Sequence, residues 1–404
     1  MRRLLVVTFA CYLDDANGAA VATRALVMTL SARGFSVEVL SGPVLALRHE
    51  IDLTQWIGSR GSSLTATAEQ TDGSSDSRTF PPGVLSFHDH GVPITLLLGS
   101  TRPRVPAIEE CANFQSLFDE IFARHRPEVV VAYGGGSPIL EILGAAKARG
   151  AATVFPLHNL GYRDPRTFID VDQVIVASHY AADFYRATLG IRCVVLPNLV
   201  DPTRVLVTER DPRYAVFVNP TAEKGVGVFA RIADEIGRIR PDIPFLVVEG
   251  TGIEEDVAAC GIDLRAHGNT FFHEHTSDPR RFWRLARVCL LPSLIAENQS
   301  MVAIEAMTNG IPVLGSNRGG VPETLGAAGI VLPLPDRLSS YPFKLPTAEE
   351  VAPWVETILR LWDDPAVYAR HSQIASTESG RWSPEVLGSL YDRFFTTIVP
   401  GQSS

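Results

Sequence analysis

The chain has 404 residues, 46% of them hydrophobic and 20% charged, with a formal net charge of -9 and a pI near 5.6. That length exceeds one ordinary core and suits two domains of about 200 residues. The acidic balance argues against nucleic acid or an anionic membrane surface as the main partner, and no stretch reaches the roughly 20 apolar residues of a membrane span. The first element, LLVVTF, follows two arginines and superficially resembles a leader peptide. Its run is short, acidic residues follow at once, and its β-branched residues predict a first buried strand. A helix near 18–33 and a strand FSVEVL come next, then a polar segment, 58–82, read as a mobile loop. VLSFHDHGVPITLLLG reads as a hairpin around His90-Gly91. A helix near 107–125, the strand EVVVAY, a helix from about Pro138 and the strands TVFPLH and QVIVAS follow. A helix near 179–189 and the strand CVVLPN complete this half. This alternation is the rhythm of a doubly wound parallel sheet.

After a proline-rich pause near 197–213 the rhythm restarts. AVFVNP, a helix from Gly225, PFLVVEG, NTFFHE, a helix near 279–287, VCLLPS, a helix over 300–309, IPVLGS and GIVLPL make a second α/β half. Helices near 348–362 and 366–377 and a last amphipathic segment follow. The expected architecture is an N-terminal Rossmann-like domain over 1–200, a C-terminal one over 201–380 with a cleft between them, and a final helical segment, 381–404. Ligands in such sheets bind beyond the carboxyl ends of the strands.

The five cysteines are scattered without CxxC or Cys/His spacing, which disfavours a disulfide framework or zinc site and fits a reducing cytosol. His88, His90, His273 and His275 lie in two separate hairpin-like regions without metal-ligand spacing and read as exposed loop histidines. GxGxxG, GxxxxGK[ST] and GxSxG are all absent, against a dehydrogenase, a P-loop ATPase and a serine hydrolase. At the strand ends, Gly18 opens a helix and permits an anion to approach backbone, although a tight turn explains it equally well. Gly134-Gly135-Gly136 forms a similar loop. His158 closes a strand, as a site residue or a structural one. Lys224, between a strand and a helix, suits a diphosphate or is a solvated surface lysine. Arg318-Gly319-Gly320 ends another strand and adds approachable amides.

The segment ENQSMVAIEAMTNGIPVLG poses a physical problem. Ser300 caps a helix that stops at Gly310, so Glu305 falls within an apolar helix, and an unpaired carboxylate there costs several kcal/mol. Glu297 precedes the helix start, beside free amides and the positive dipole end. Glu305 then either binds a ligand, caps a neighbouring loop or pairs with a distant arginine.

Taken together these motifs resemble the retaining nucleotide-sugar glycosyltransferases of the GT-B fold, glycosyltransferase family four. The resemblance spans nearly the whole chain and is strongest over 173–332. It rests on QVIVAS followed by VLPNLVD, on NPTAEKG, and on ARVCLLPSLIAENQSMVAIEAMTNGIPVLGSNRGGVPE, which carries E-x7-E and GG-x-PE. The resemblance implies that Glu305 holds the ribose hydroxyls of the donor and Glu297 the hydroxyls of its sugar. Amides of Gln299, Ser300, Met301 and Val302 would meet sugar and diphosphate, with Gly319 and Gly320 alongside. His158 would touch the sugar from the first domain, Gly18 would lie near the phosphates, and the final helix would cross back to the first domain. Lys224, Glu297 and His158 are the candidate catalytic residues. The implied reaction moves a sugar from a nucleoside diphosphate to an acceptor hydroxyl with retention, in the cytoplasm, with no metal or resident cofactor. One departure concerns the diphosphate: where the family usually carries an arginine, this chain has Asn219, followed by Pro220. A nucleotide-sugar epimerase of the same fold and a non-catalytic nucleotide-sugar-binding protein are the alternatives.

Overall fold

A computed structural model describes residues 2–59, 64–66 and 83–401. Most of the segment expected as a mobile loop, 58–82, lies outside the described residues; Leu64–Ala66 within it form a strand that the sequence pattern did not indicate. The chain divides into two compact units. One comprises Met1–Val176, Phe184–Leu196 and Gly388–Ser404, the other Ala177–Asp183 and Pro197–Leu387. Residues 177–183 and 197–200 therefore group with the second half, against a sequence break placed after 200.

The strands of the first unit are β1 (Arg3–Ala10), β2 (Ser36–Val44), β3 (Leu64–Ala66), β4 (Val84–Asp89), β5 (Val92–Leu97), β6 (Val129–Tyr133), β7 (Ala152–Leu157), β8 (Gln173–Val176) and β9 (Cys193–Val195). They form one sheet in the order β3-β4-β5-β2-β1-β6-β7-β8-β9. All pairings are parallel except β3 with β4 and β4 with β5. The β4–β5 pair is the expected hairpin, and His90 takes its turn at φ 49°. Leu4, Leu5, Val6 and Val7 are all fully buried, as expected of a strand covered on both faces. The end of the chain is tied to this unit by specific bonds. Arg2 donates to the Phe395 and Thr396 carbonyls at 2.6 Å, Arg33 pairs with Asp392, and the Gly401 amide donates to Asp172.

The second unit holds β10 (Tyr214–Val218), β11 (Phe245–Val248), β12 (Thr270–His273), β13 (Ala286–Leu291), β14 (Val313–Ser316) and β15 (Ile330–Leu332). Their order is β12-β11-β10-β13-β14-β15, parallel throughout. Two apolar layers cover the sheet. One joins the helix Val226–Ile239 to Ala348–Asp363 through Phe229, Ile232, Trp354 and Ile358, and the other packs Met301–Thr308 through Ala303, Ala306 and Met307. Every strand of this sheet runs the same way, so their carboxyl ends share one edge. That edge carries Asn219, Ser293 and Ser316. No described helix is long and apolar enough to cross a membrane, and the five cysteines are free.

Candidate functional site

In the second unit the site is built around the turn that follows β13 and enters the helix Met301–Thr308. Ser300 has extended backbone and its Oγ accepts from the Ala303 amide, the cap the sequence predicted. The amides of Met301 and Val302 fall in the first turn, where a helix has no acceptor of its own. The turn ahead of it is held from several sides. Asn298 Oδ1 accepts from the Ala177 amide at 3.2 Å and from Ser178 Oγ at 3.0 Å, and Gln299 Oε1 accepts from the Asn198 amide at 2.7 Å. Side-chain carbonyls thus replace a regular ladder for three backbone and hydroxyl donors.

Glu297 is buried, 7% exposed, and one cation and one hydroxyl meet the same carboxylate oxygen. Lys224 Nζ donates to its Oε1 at 2.9 Å, and Ser293 Oγ donates to the same oxygen. Ser293 is itself fixed, because Ser316 Oγ at the end of β14 donates to its carbonyl at 2.7 Å. Lys224 reaches this point because Gly225, at φ 84°, lets the chain turn tightly against Pro292, where a Cβ would overlap the Pro292 carbonyl oxygen. The Glu223 carbonyl accepts from the Leu294 amide at 2.9 Å across the same contact. Two sequence candidates 73 residues apart are therefore one ion pair.

Gly319 and Gly320 press on the other side of the turn. The Gly320 amide donates to the Glu297 carbonyl at 2.6 Å. A Cβ on Gly319, at φ 58°, would overlap the Glu297 amide, and one on Gly320 would overlap the Asn298 carbonyl oxygen. These glycines are needed for backbone-to-backbone packing within the protein itself. Arg318 faces away from a free role: it pairs with Asp336 at 2.9 Å and donates to the Pro335 carbonyl at 2.8 Å.

Glu305 lies half-buried on the helix that follows, eight residues on from Glu297. Its Oε2 accepts from Trp283 Nε1 at 3.1 Å, an indole donor that the sequence did not suggest. Asn219 is also engaged. It sits just past β10 at φ 60°, a conformation asparagine tolerates, and its Oδ1 accepts from the Gly252 amide at 2.7 Å. The residue standing where an arginine was expected ties two strand-end loops together.

The first unit is finished differently. Asn17 caps the helix Gly18–Ala32 by accepting from the Ala19 amide at 3.0 Å. A Cβ on Gly18 would meet nothing within 4 Å, so no packing of the unit requires glycine there. Of the other glycine loop, Gly134 has φ 140° and Gly135 lies under the Tyr162 ring, whereas Gly136 is open. His158 follows β7, its ring edge-on to Tyr133 at 4.6 Å. Its Nε2 is buried with no hydrogen-bond partner among the described residues, and burial pushes the imidazole down to about 4. His158 is thus a neutral ring near pH 7.

The remaining histidines are partly misjudged by the sequence. His90 is exposed at a turn and bonds Asp89 at 2.8 Å, but His88 lies within β4 and His273 ends the parallel strand β12. Among the described residues no group of three or more His, Cys, Asp or Glu could hold a metal ion.

The family of glycosyl transferases group 1 matches residues 212–341, the part that carries Lys224, Glu297, Glu305 and the glycine pair. No curated protein matches the chain by sequence. Among solved structures, sucrose-phosphate synthase from Thermosynechococcus elongatus aligns with TM-score 0.70 at 16% identity, covering 98% of this chain and 100% of the other. A glycosyltransferase from Rickettsia africae aligns with TM-score 0.68 at 13% identity, covering 98% and 99%. Anabaena HepE, solved with UDP and glucose, aligns with TM-score 0.65 at 13% identity, covering 98% and 100%. At such identities the likeness is one of fold, and the fold is GT-B: two α/β units, each on a mainly parallel sheet.

Sequence reasoning missed Ser293 and Trp283. Ser293 ends the quoted VCLLPS four residues before Glu297, a spacing that could have marked it. Nothing in the sequence links Trp283 to Glu305.

Proposed function

We propose that the chain is a retaining glycosyltransferase that moves a sugar from a nucleoside diphosphate to an acceptor hydroxyl. The observation that carries the reading is the convergence of the Lys224–Glu297 pair with the start of the helix Met301–Thr308, which also bears Glu305. HepE, of the same fold, was solved with UDP and glucose, which supports a nucleotide-sugar donor here.

In this reading the bond between the anomeric carbon and the phosphate oxygen breaks while the acceptor oxygen bonds to that carbon from the same face. The acceptor's proton passes to the departing phosphate oxygen, so no side-chain nucleophile is required. Negative charge grows on the diphosphate, and fixed donors there lower the barrier most. In this reading Lys224 and the amides at 299–302 supply them. Glu297 orients the donor sugar through its hydroxyls, and Glu305 accepts from the ribose. His158, a neutral ring whose Nε2 has no hydrogen-bond partner among the described residues, is in this reading a hydrogen-bonding rather than a charged contact to the sugar. No protein-bound metal or resident cofactor enters this scheme.

Thermal shift with UDP, GDP, ADP and TDP identifies the base, because a ligand of the folded state raises the melting temperature. Sugar transfer or donor hydrolysis is then measured with donors of that base, with and without EDTA. Turnover that survives chelation is the expected result. If no diphosphate raises the melting temperature and no donor is consumed, the reading is wrong.

A further inference from the structure

Trp283 ends the short helix Arg280–Trp283 and is fully buried. It packs in the same apolar layer as Phe282, Ala303 and Met307, with the Phe282 ring at 4.7 Å. An indole N–H can only donate, and a buried one needs an acceptor. Here the acceptor is a single carboxylate oxygen, Glu305 Oε2 at 3.1 Å. The donor is rigid because the ring is locked by packing, whereas the acceptor sits on a side chain with three rotatable bonds. The bond therefore fixes the glutamate more than it fixes the tryptophan.

A neutral core would satisfy the same indole with a backbone carbonyl or a glutamine at lower desolvation cost. A carboxylate offers about four acceptor positions across its two oxygens, and the indole occupies one of them. We propose that Trp283 is a positioning residue for nucleotide recognition: it holds Glu305 in the rotamer that accepts from the vicinal hydroxyls of a ribose, removing the ordering cost from the binding step. The proposal rests on the reading of Glu305 as the ribose ligand, and its test separates the two.

Calorimetry on the full chain first ranks UDP, GDP and ADP, then compares the best of them with its 2′,3′-dideoxy counterpart. The native protein should prefer the ribonucleotide at least about tenfold, as expected for hydrogen bonds to a charged acceptor. Trp283→Phe should shrink that preference by at least about threefold, the scale of ordering one flexible side chain, while dideoxy affinity stays within about twofold. Where Trp283→Phe folds poorly, 3-benzothienylalanine at position 283 keeps the ring shape and replaces only the N–H. An undiminished preference in the variant overturns the proposal. Equal weakening of both nucleotides also overturns it, since that is the signature of a structural role. A native protein with no ribose preference refutes the assignment of Glu305 itself, whatever the variant does.

Discussion

Where β13 ends in the second unit, Ser293 and Lys224 both donate to Glu297, and the glycines beside them are clamped backbone to backbone. Where β7 ends in the first unit, His158 Nε2 is buried and unpartnered among the described residues, and Gly18, which opens the helix after β1, has open space where a side chain would stand. The two edges leave their polar groups in opposite states. Charged groups must be paired inside the protein before any ligand arrives, because an unpaired buried charge is too costly. A neutral imidazole or a bare glycine can be left unmatched at far lower cost.

Four measurements break or sharpen that contrast. Lys224→Ala should have the largest effect, lowering kcat by about 10²–10³, the typical result of removing one preorganised donor from developing negative charge. Donor affinity should change less. Near-normal turnover would mean that backbone amides alone hold the diphosphate. Glu305→Gln comes next. Charge-assisted hydrogen bonds are worth about 1.5–3 kcal/mol, so nucleotide affinity should fall by that much in calorimetry, while the amide still accepts from Trp283 and the fold survives. Unchanged affinity with collapsed stability would make Glu305 a structural residue.

The glycines give a direct pairwise comparison. Gly320→Ala forces a methyl against the Asn298 carbonyl and should cost about 1–3 kcal/mol in urea unfolding. Gly18→Ala should leave stability within about 0.5 kcal/mol, yet lower activity if an anion approaches that backbone. A Gly18→Ala protein of normal stability and normal turnover removes Gly18 from the site.

The smallest expected effect concerns pH. His158 titrates near 4 in the folded chain and near its ordinary 6.5 when unfolded, so between those values the unfolded chain binds the extra proton. Its contribution to stability is complete above about pH 6.5 and is lost as pH falls toward 4. His158→Phe should flatten that part of the stability profile, and an unchanged slope would show that the ring is not desolvated.

The parallel strands of both sheets were legible because strands covered on two faces leave continuous apolar runs, as in LLVVTF and AVFVNP, whereas the short antiparallel strand Leu64–Ala66 was not. The cap at Ser300 and the stop at Gly310 were legible because capping is local. Glu297 and Lys224 could be named as separate candidates, but not as an ion pair, because the tight approach that joins them depends on Gly225 meeting Pro292 from another strand. Asn219 shows the same limit. Its neutrality was evident in the sequence, whereas its bond to the Gly252 amide depends on how two neighbouring strands end.

The pairing of Lys224 with Glu297 also bears on what the protein ignores. A lysine already engaged by a carboxylate is a poor trap for stray phosphate or chloride, because an incoming anion must compete with a partner that is tethered and never diffuses away. On the proposed function, a nucleotide sugar with several further contacts displaces that partner, while a small inorganic anion does not. The ion pair is then a filter on occupancy within that proposal.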